Sequence, residues 1–213
     1  MENNMAMEYP MFCYQCEQTA GGKGCTKMGV CGKTPEVAAL QDLLIYQIKG
    51  ISCYAKEIVE KGENVDKSIV SFIENSLFTT LTNVNFDADV HVEMLRESQK
   101  IKESLRKKVG KIKNDTEHAT YNLSESKAEM LQDAKKAGIM YDQELDPDIR
   151  SLRQTILYGL KGISAYGHQA RELGYYDDQV DNFYVRALEA TTDDNLSVEE
   201  LIRWTMRTGD MSV

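Results

Sequence analysis

The stretch KGISCY at residues 49–54 recurs as KGISAY at residues 161–166, a displacement of 112 positions. The match at this displacement runs without a gap well beyond the six residues. The coinciding residues include Pro35 and Pro147, Leu40 and Leu152, Tyr46 and Tyr158, Gly62 and Gly174, Asp66 and Asp178, and Asn83 and Asn195. Agreement at residues that begin and end structural elements indicates one supersecondary unit used twice.

Each copy is predicted to open with a long helix. The dipeptides TP at 34–35 and DP at 146–147 place an N-cap residue before proline at the first helical position, where its missing N–H costs nothing. Apolar residues then recur at three- and four-residue steps, and Gly62 lies where a left-handed C-cap is expected. The second copy follows the same pattern to Gly174.

Shorter helices should follow from about Asp66 and Asp178, each with an inward apolar face. These faces hold Phe72, Ile73 and Leu77 in the first copy and Phe183, Tyr184 and Leu188 in the second. A third helix is predicted over 86–109, and its counterpart opens with a capping box at 197–200 but meets Gly209 early. No alternating strand of useful length occurs. The predicted fold is all-α, a Cys/Gly-rich loop followed by two duplicated antiparallel helical bundles, the second cut short.

Four segments follow from this pattern. They are a cluster-binding loop at 1–33, a first bundle at 34–110, a loop and connecting helix at 111–145, and a second bundle at 146–213. Within the third segment, the polar stretch up to residue 122 is predicted as loop and residues 124–137 as helix.

Two pairs of repeated residues lie within the long helices. Gly50 and Gly162 occupy helix interiors, where their recurrence indicates either close helix packing or glycines that both copies tolerate. Tyr46 and Tyr158 occupy equivalent core-side positions, and packing is the expected role rather than electron relay.

The composition excludes several classes of function. The 213 residues carry a net charge of -9 and no basic stripe, so nucleic acid is not an expected partner. No apolar run approaches the roughly 18 residues that cross a bilayer, and the N-terminus resembles no signal sequence, so a cytoplasmic protein without membrane contact is expected. Five cysteines without a secretory signal argue against a disulfide framework and favour metal or redox chemistry.

Four of the cysteines, Cys13, Cys16, Cys25 and Cys31, form the pattern C-x2-C-x8-C-x5-C. Four thiolates suit either a structural zinc ion or an iron–sulfur cluster. Zinc modules usually present two close pairs, whereas here one pair is close and the other ligands are spread among five glycines. Such a loop can wrap a larger group and offer backbone N–H groups to sulfur, so the spacing favours iron–sulfur while leaving zinc open.

At these residues the sequence resembles a known family. The stretch MFCYQCEQTAGGKGCTKMGVCGKTPEVAALQDLLIY at 11–46 is similar to the N-terminus of the hybrid cluster proteins, also called prismane proteins or hydroxylamine reductases. The resemblance covers essentially the whole chain. It implies that Cys13, Cys16, Cys25 and Cys31 ligate a cubane 4Fe-4S cluster, as in the family class with the shorter cysteine spacing.

The resemblance also implies what the chain lacks. Family members are more than twice as long, and later α/β domains hold their catalytic hybrid 4Fe-2S-2O cluster through cysteines, a histidine and glutamates. The chain is therefore expected to be the electron-transfer domain of a hydroxylamine reductase, as an excised domain, a fragment or a reduced relative. It would take electrons from a redox donor protein and pass them to the remaining domains, where hydroxylamine is reduced to ammonia and possibly nitric oxide is reduced too.

Two alternatives remain open, a metal-stapled structural or oligomerisation module and a free-standing 4Fe-4S carrier. Whether the chain is an enzyme by itself is also open, and no residue is assigned a catalytic role.

The remaining candidate residues are given structural roles. His91 is expected on a helix surface, and Cys53 is expected to be a small buried helix residue rather than a fifth ligand. Lys23, Lys27 and Lys33 could offset the charge of a cluster or meet an acidic donor, but a solvated loop is the preferred interpretation.

Overall fold

The structure is a computed structural model that describes residues 11–141 and 144–213. Within these residues the chain forms helices and no strand, and a single antiparallel bridge joins Cys13 to Cys25. The α-helices are α1 (Pro35–Glu60), α2 (Lys67–Thr79), α3 (Ala88–Val109), α4 (Glu117–Thr120), α5 (Lys127–Asp133), α6 (Pro147–Glu172), α7 (Asp178–Ala190) and α8 (Val198–Met211). Two 3-10 turns cover Ala20–Gly22 and Ala134–Lys136. The all-α prediction is confirmed.

The two long helices begin and end at equivalent positions. The Thr34 side chain accepts the N–H of Val37, and the Asp146 side chain accepts N–H groups of its own first turn, in each case with proline at the start of the helix. Both helices are 26 residues long, and the glycines that follow them, Gly62 and Gly174, have φ of 79° and 84°. Residues that carry a side chain rarely adopt such φ values, so glycine ends both helices as predicted.

Several boundaries differ from the predictions. Helix α7 begins at Asp178 as predicted, with Asp177 as its N-cap, but α8 continues through Gly209 to Met211. The connecting helix starts late because Ser126 forms a reciprocal capping box with Glu129, and it ends in a 3-10 turn. The polar stretch predicted as loop contains the short α4.

The two copies exchange their second helices. Helix α1 packs mainly against α3 and α7, and α6 packs mainly against α8 and α2. The second helix of each copy therefore lies on the long helix of the other copy. Residues of both copies share one apolar core, with Ile51, Ile73, Ile156 and Tyr184 all fully buried in it. The four segment boundaries themselves stay predictions.

A second apolar cluster lies at the start of α1, where Leu40 and Leu44 meet Leu95 of α3 and Met130 of α5. This cluster fixes the end of α1 that follows the cysteine loop. None of the helices described here is long and apolar enough to span a membrane.

His91 is fully buried, so the prediction of a surface position is wrong. Its Nδ1 lies 2.6 Å from the carbonyl oxygen of Asp87 and its Nε2 lies 3.3 Å from Nε2 of Gln41 on α1. Burial lowers the pKa of the imidazole. The buried face of α3 runs through residues 91, 95, 98, 102 and 105, a helical spacing that polar side chains at three positions conceal from a search for apolar periodicity.

Candidate metal centre

The cysteine loop folds back on itself. The N–H of Cys13 donates to the carbonyl of Cys25 at 3.0 Å, and the N–H of Cys25 donates to the carbonyl of Cys13 at 2.7 Å. The hydroxyl of Thr19 donates to the same carbonyl of Cys13 at 2.9 Å. Cys25 is buried beside Met11 and Ala38, which anchors this pair of cysteines to the first turn of α1.

Backbone groups of the loop are directed at sulfur. All four cysteines of the loop are free thiols, and the Ala20 N–H donates to Cys25 Sγ at 3.4 Å. The N–H groups of Ala20 and Val30 lower the pKa of the Cys25 thiol, and burial opposes them. Hydrogen bonds of this kind favour the thiolate, the form that binds metal.

Two glycines of the loop leave room for the Phe12 ring and for the Cys31 sulfur. Gly24 has φ of 138°, and a Cβ there would lie 2.6 Å from Cε2 of Phe12. A Cβ on Gly29 would lie 3.0 Å from Sγ of Cys31. Side chains at these positions would displace the Phe12 ring or the Cys31 sulfur, so glycine suits the observed path of the loop.

The structure brings two of the four predicted ligands, Cys13 and Cys25, into direct backbone contact. Cys16 and Cys31 lie in the same loop, partly exposed. In the described part of the chain, no three His, Cys, Asp or Glu side chains converge as ligands of a single metal ion. The chemistry of the donor set, four free thiols with an N–H donated to sulfur, fits a thiolate-ligated cluster, and the assignment of all four as ligands stays a prediction.

One of the three loop lysines is not solvated. Lys23 and Lys27 are exposed as expected, but Lys33 is only 4% exposed, so the solvated-loop interpretation is wrong for Lys33. The N–H of Gly29 donates to the Lys33 carbonyl at 2.8 Å, which turns the chain inward just before α1. The Lys33 ammonium lies 6.0 Å from the centre of the Phe86 ring.

Behind the loop, a cavity of about 50 Å³ lies between α1 and α6. Residues at equivalent positions of the two copies face it, namely Asp42 and Gln154, Ile45 and Leu157, and Lys49 and Lys161. Cys13, Gln15 and Lys33 of the loop segment also line the cavity. The repeat thus places a polar cavity directly behind the cysteines.

Gln15 connects the loop to both copies. It lies between Cys13 and Cys16, and its side-chain amide donates to the Thr80 carbonyl at 3.2 Å. Its carbonyl oxygen accepts from Lys161 Nζ at 2.7 Å. The turn between the first two cysteines is therefore fixed to the end of α2 and to the middle of α6.

The sequence analysis singled out Lys33 but missed Asp42 and Lys161 of this cavity. Burial raises the pKa of the Asp42 carboxyl and lowers the pKa of the Lys161 amine, because both charged forms lose hydration. The pattern in the sequence that could have identified these residues is a charged residue within an otherwise apolar helix. Lys161 belongs to the repeated KGIS motif, in which Lys49 is its equivalent.

Cys53 is 2% exposed on α1, where its sulfur lies 3.5 Å from the Thr192 hydroxyl, and burial raises the pKa of its thiol. Its prediction as a small buried helix residue is confirmed. Tyr46 is buried and stacks on His118 with ring centres 4.1 Å apart, as expected for a packing role. Tyr158 instead faces the loop and meets Tyr14 edge to face at 5.6 Å.

Curated relatives align with nearly the whole chain. The hydroxylamine reductase of Desulfovibrio desulfuricans is 42% identical over 207 residues, which is 97% of this chain and 37% of the relative. Those of Syntrophobacter fumaroxidans and Acetivibrio thermocellus are 42% and 43% identical over 95% of this chain. The chain spans 38% and 36% of those two relatives, so it covers little more than a third of their length.

The family model described as Prismane/CO dehydrogenase family matches residues 11–213, which include the cysteine loop and all eight helices described above. Together with the identity to the three hydroxylamine reductases, this match shows that the chain belongs to the Prismane/CO dehydrogenase family.

Proposed function

We propose that this chain is an iron–sulfur electron-transfer unit of a hydroxylamine reductase and that Cys13, Cys16, Cys25 and Cys31 ligate its 4Fe-4S cluster. The observation that carries the proposal is the loop that holds four free thiols and directs the Ala20 N–H at Cys25 Sγ. Membership of the Prismane family, which implies iron–sulfur clusters, supports it. When bound, the cluster would accept and release single electrons.

The residues of this chain would bind, orient and shield that group. The paired backbones of Cys13 and Cys25 set the spacing of two ligands, and the Ala20 N–H stabilises the thiolate form of Cys25. The Phe12 ring lies against Gly24 and meets Tyr14 edge to face, with ring centres 5.3 Å apart. These two partly exposed rings would shield one side of the cluster from water.

The reduction of hydroxylamine to ammonia is proposed to occur at a hybrid 4Fe-2S-2O cluster held by residues outside this chain. This chain covers 37% of a relative that is named for that activity. A redox donor protein would supply the electrons, and this chain would relay them to the remaining domains. No residue of this chain is proposed as an acid, a base or a nucleophile.

The test compares Cys25→Ala with Cys53→Ala after anaerobic reconstitution with iron and sulfide. Cys25→Ala should lose the intact 4Fe-4S centre, because a thiolate ligand is removed. Cys53→Ala should keep it, because the equivalent residue in the second copy is already Ala165. Iron content, visible absorption and paramagnetic resonance report the cluster, and far-ultraviolet circular dichroism reports the helices, which should survive in both variants.

Two results would contradict the proposal. The first is wild-type protein that binds one equivalent of zinc but forms no reducible iron–sulfur centre, as expected for a structural module. The second is a Cys53 variant that loses the cluster while the Cys25 variant keeps it.

A further inference from the structure

Two lysines lie buried directly behind the cysteine loop. Lys33 is 4% exposed and Lys161 is 8% exposed, and both line the cavity between α1 and α6. Among the described residues, neither forms an ion pair with a carboxylate. The hydrogen bond described for Lys161 goes to the neutral side chain of Gln15. A desolvated ammonium is costly unless an opposite charge compensates it.

The described lining of the cavity carries less negative charge than Lys33 and Lys161 carry positive charge. Lys33 and Lys161 line it, and Asp42 is the single carboxylate among the described residues of its lining. Burial raises the pKa of Asp42 and lowers the pKa of Lys161, whereas the opposite charges of these two groups favour the ionised form of each. With Asp42 ionised, Lys33 and Lys161 still exceed this carboxylate by one charge.

This positive excess is connected to the cysteines. Lys161 Nζ bonds to Gln15, which lies between Cys13 and Cys16, and Cys13 itself lines the cavity. Lys33 follows Cys31 by two residues and turns inward through the bond from the Gly29 N–H. Two elements distant in sequence, the loop and α6, thus each contribute a buried lysine to the cavity that Cys13 lines.

A cluster held by four thiolates is the negative group that such a site fits. Its reduction adds one further negative charge, delivered as one electron by an external reductant, and no bond in the protein forms or breaks. A fixed positive charge nearby stabilises the reduced form more than the oxidised form.

We propose that Lys161 and Lys33 are positioning residues whose buried charges compensate the cluster and hold its midpoint potential at a more positive value. The inference rests on the proposed function and adds to it the residues that set the driving force for electron transfer.

The experiment is an anaerobic redox titration of reconstituted Lys161→Met, Lys161→Arg and Lys33→Met, read by paramagnetic resonance of the reduced centre. Both methionine variants should shift the midpoint potential to more negative values at unchanged iron content. Lys161→Arg keeps the charge and should stay close to wild type.

The matched control is Lys102→Met. Lys102 is also buried, at 2% exposure, but its ammonium donates to Gln47 Oε1 and to the Tyr121 carbonyl and does not line the cavity. This variant removes a buried amine, whose pKa burial lowers to about 7, at a position away from the cavity and should leave the potential unchanged. An equal shift in Lys102→Met would overturn the inference, because it would reveal a general effect of net charge.

The inference is also overturned if the methionine variants keep both the cluster and the wild-type potential. If Lys161→Met cannot be loaded, Lys33→Met decides, and an unshifted potential in that variant rejects the proposal. A wild-type chain with no reducible cluster would instead contradict the proposed function, and the spectrum taken before the titration separates the two failures.

Discussion

At the scale of single residues, Gly50 and Gly162 form a matched pair at equivalent positions of the repeat. A Cβ on Gly50 would collide with the backbone carbonyl of His118, whereas a Cβ on Gly162 meets nothing within 4 Å. Close packing therefore explains the glycine of the first copy, and the glycine of the second copy is tolerated. The repeat alone did not distinguish the two roles.

Gly50→Ala should lower the free energy of unfolding by roughly 1–3 kcal/mol, because α1 and the segment carrying His118 must separate. Gly162→Ala should raise it by about 0.5–1 kcal/mol, because alanine restricts the unfolded chain and favours the helix. Urea titrations monitored by circular dichroism measure both changes. Similar effects of the two substitutions would contradict the packing argument.

At the scale of elements, a buried group of charges joins α2 to α6 and α7. The Arg171 guanidinium donates to both oxygens of Glu74, at 3.1 and 3.3 Å, and to Asp181 at 2.6 Å. The side chains of these two acids are 1% and 8% exposed. Glu74 belongs to the first copy and the other two residues to the second, so this group helps to fix the exchanged arrangement of the helices.

Arg171→Met should lower the free energy of unfolding by about 3–5 kcal/mol at neutral pH, because two buried carboxylates lose their counter-charge. Arg153→Met, the same change on the same helix, should cost less. Its carboxylate partner Asp194 is 77% exposed and stays hydrated when the arginine is removed. The denaturant midpoints of the two variants measure this difference. A larger loss of stability in Arg153→Met than in Arg171→Met would argue against the role given to the buried acids.

At the scale of the whole molecule, the shared core joins the copies into one cooperative unit. Leu77 of α2 is fully buried in the same core as Phe183 of α7, and Trp204 of α8 packs against that core. Trp204 is the only tryptophan in the sequence, so its fluorescence reports the second copy alone. Because the two copies share this core, a destabilising change in the first copy should still shift the unfolding transition that Trp204 fluorescence reports.

Leu77→Ala should destabilise the protein by roughly 2–5 kcal/mol, because it leaves a cavity in the shared core. The transitions followed by Trp204 fluorescence and by far-ultraviolet circular dichroism should shift together, as two-state unfolding requires. Should the fluorescence transition stay in place while circular dichroism splits into two steps, the copies unfold as independent bundles.

The amino-acid sequence by itself determined the helices, their duplication and the cysteine spacing. Caps such as Thr34 and Ser197, and the terminating glycines Gly62 and Gly174, act on backbone groups within a few residues of themselves. The local pattern is therefore sufficient to predict them. The displacement of 112 positions carried the same prediction to the second copy.

Only the tertiary structure decided which helix faces meet and which charges are buried. Packing of α1 against α3 buried His91, and the approach of α6 to the cysteine loop buried Lys161 and created the cavity that Asp42 lines. Lys33 became buried where the loop turns inward before α1. Burial depends on contacts between residues far apart in the chain, and a polar side chain gives no periodic signal when the face it shares is mostly apolar. For that reason the sequence indicated the thiols, and the fold revealed the positive charges behind them.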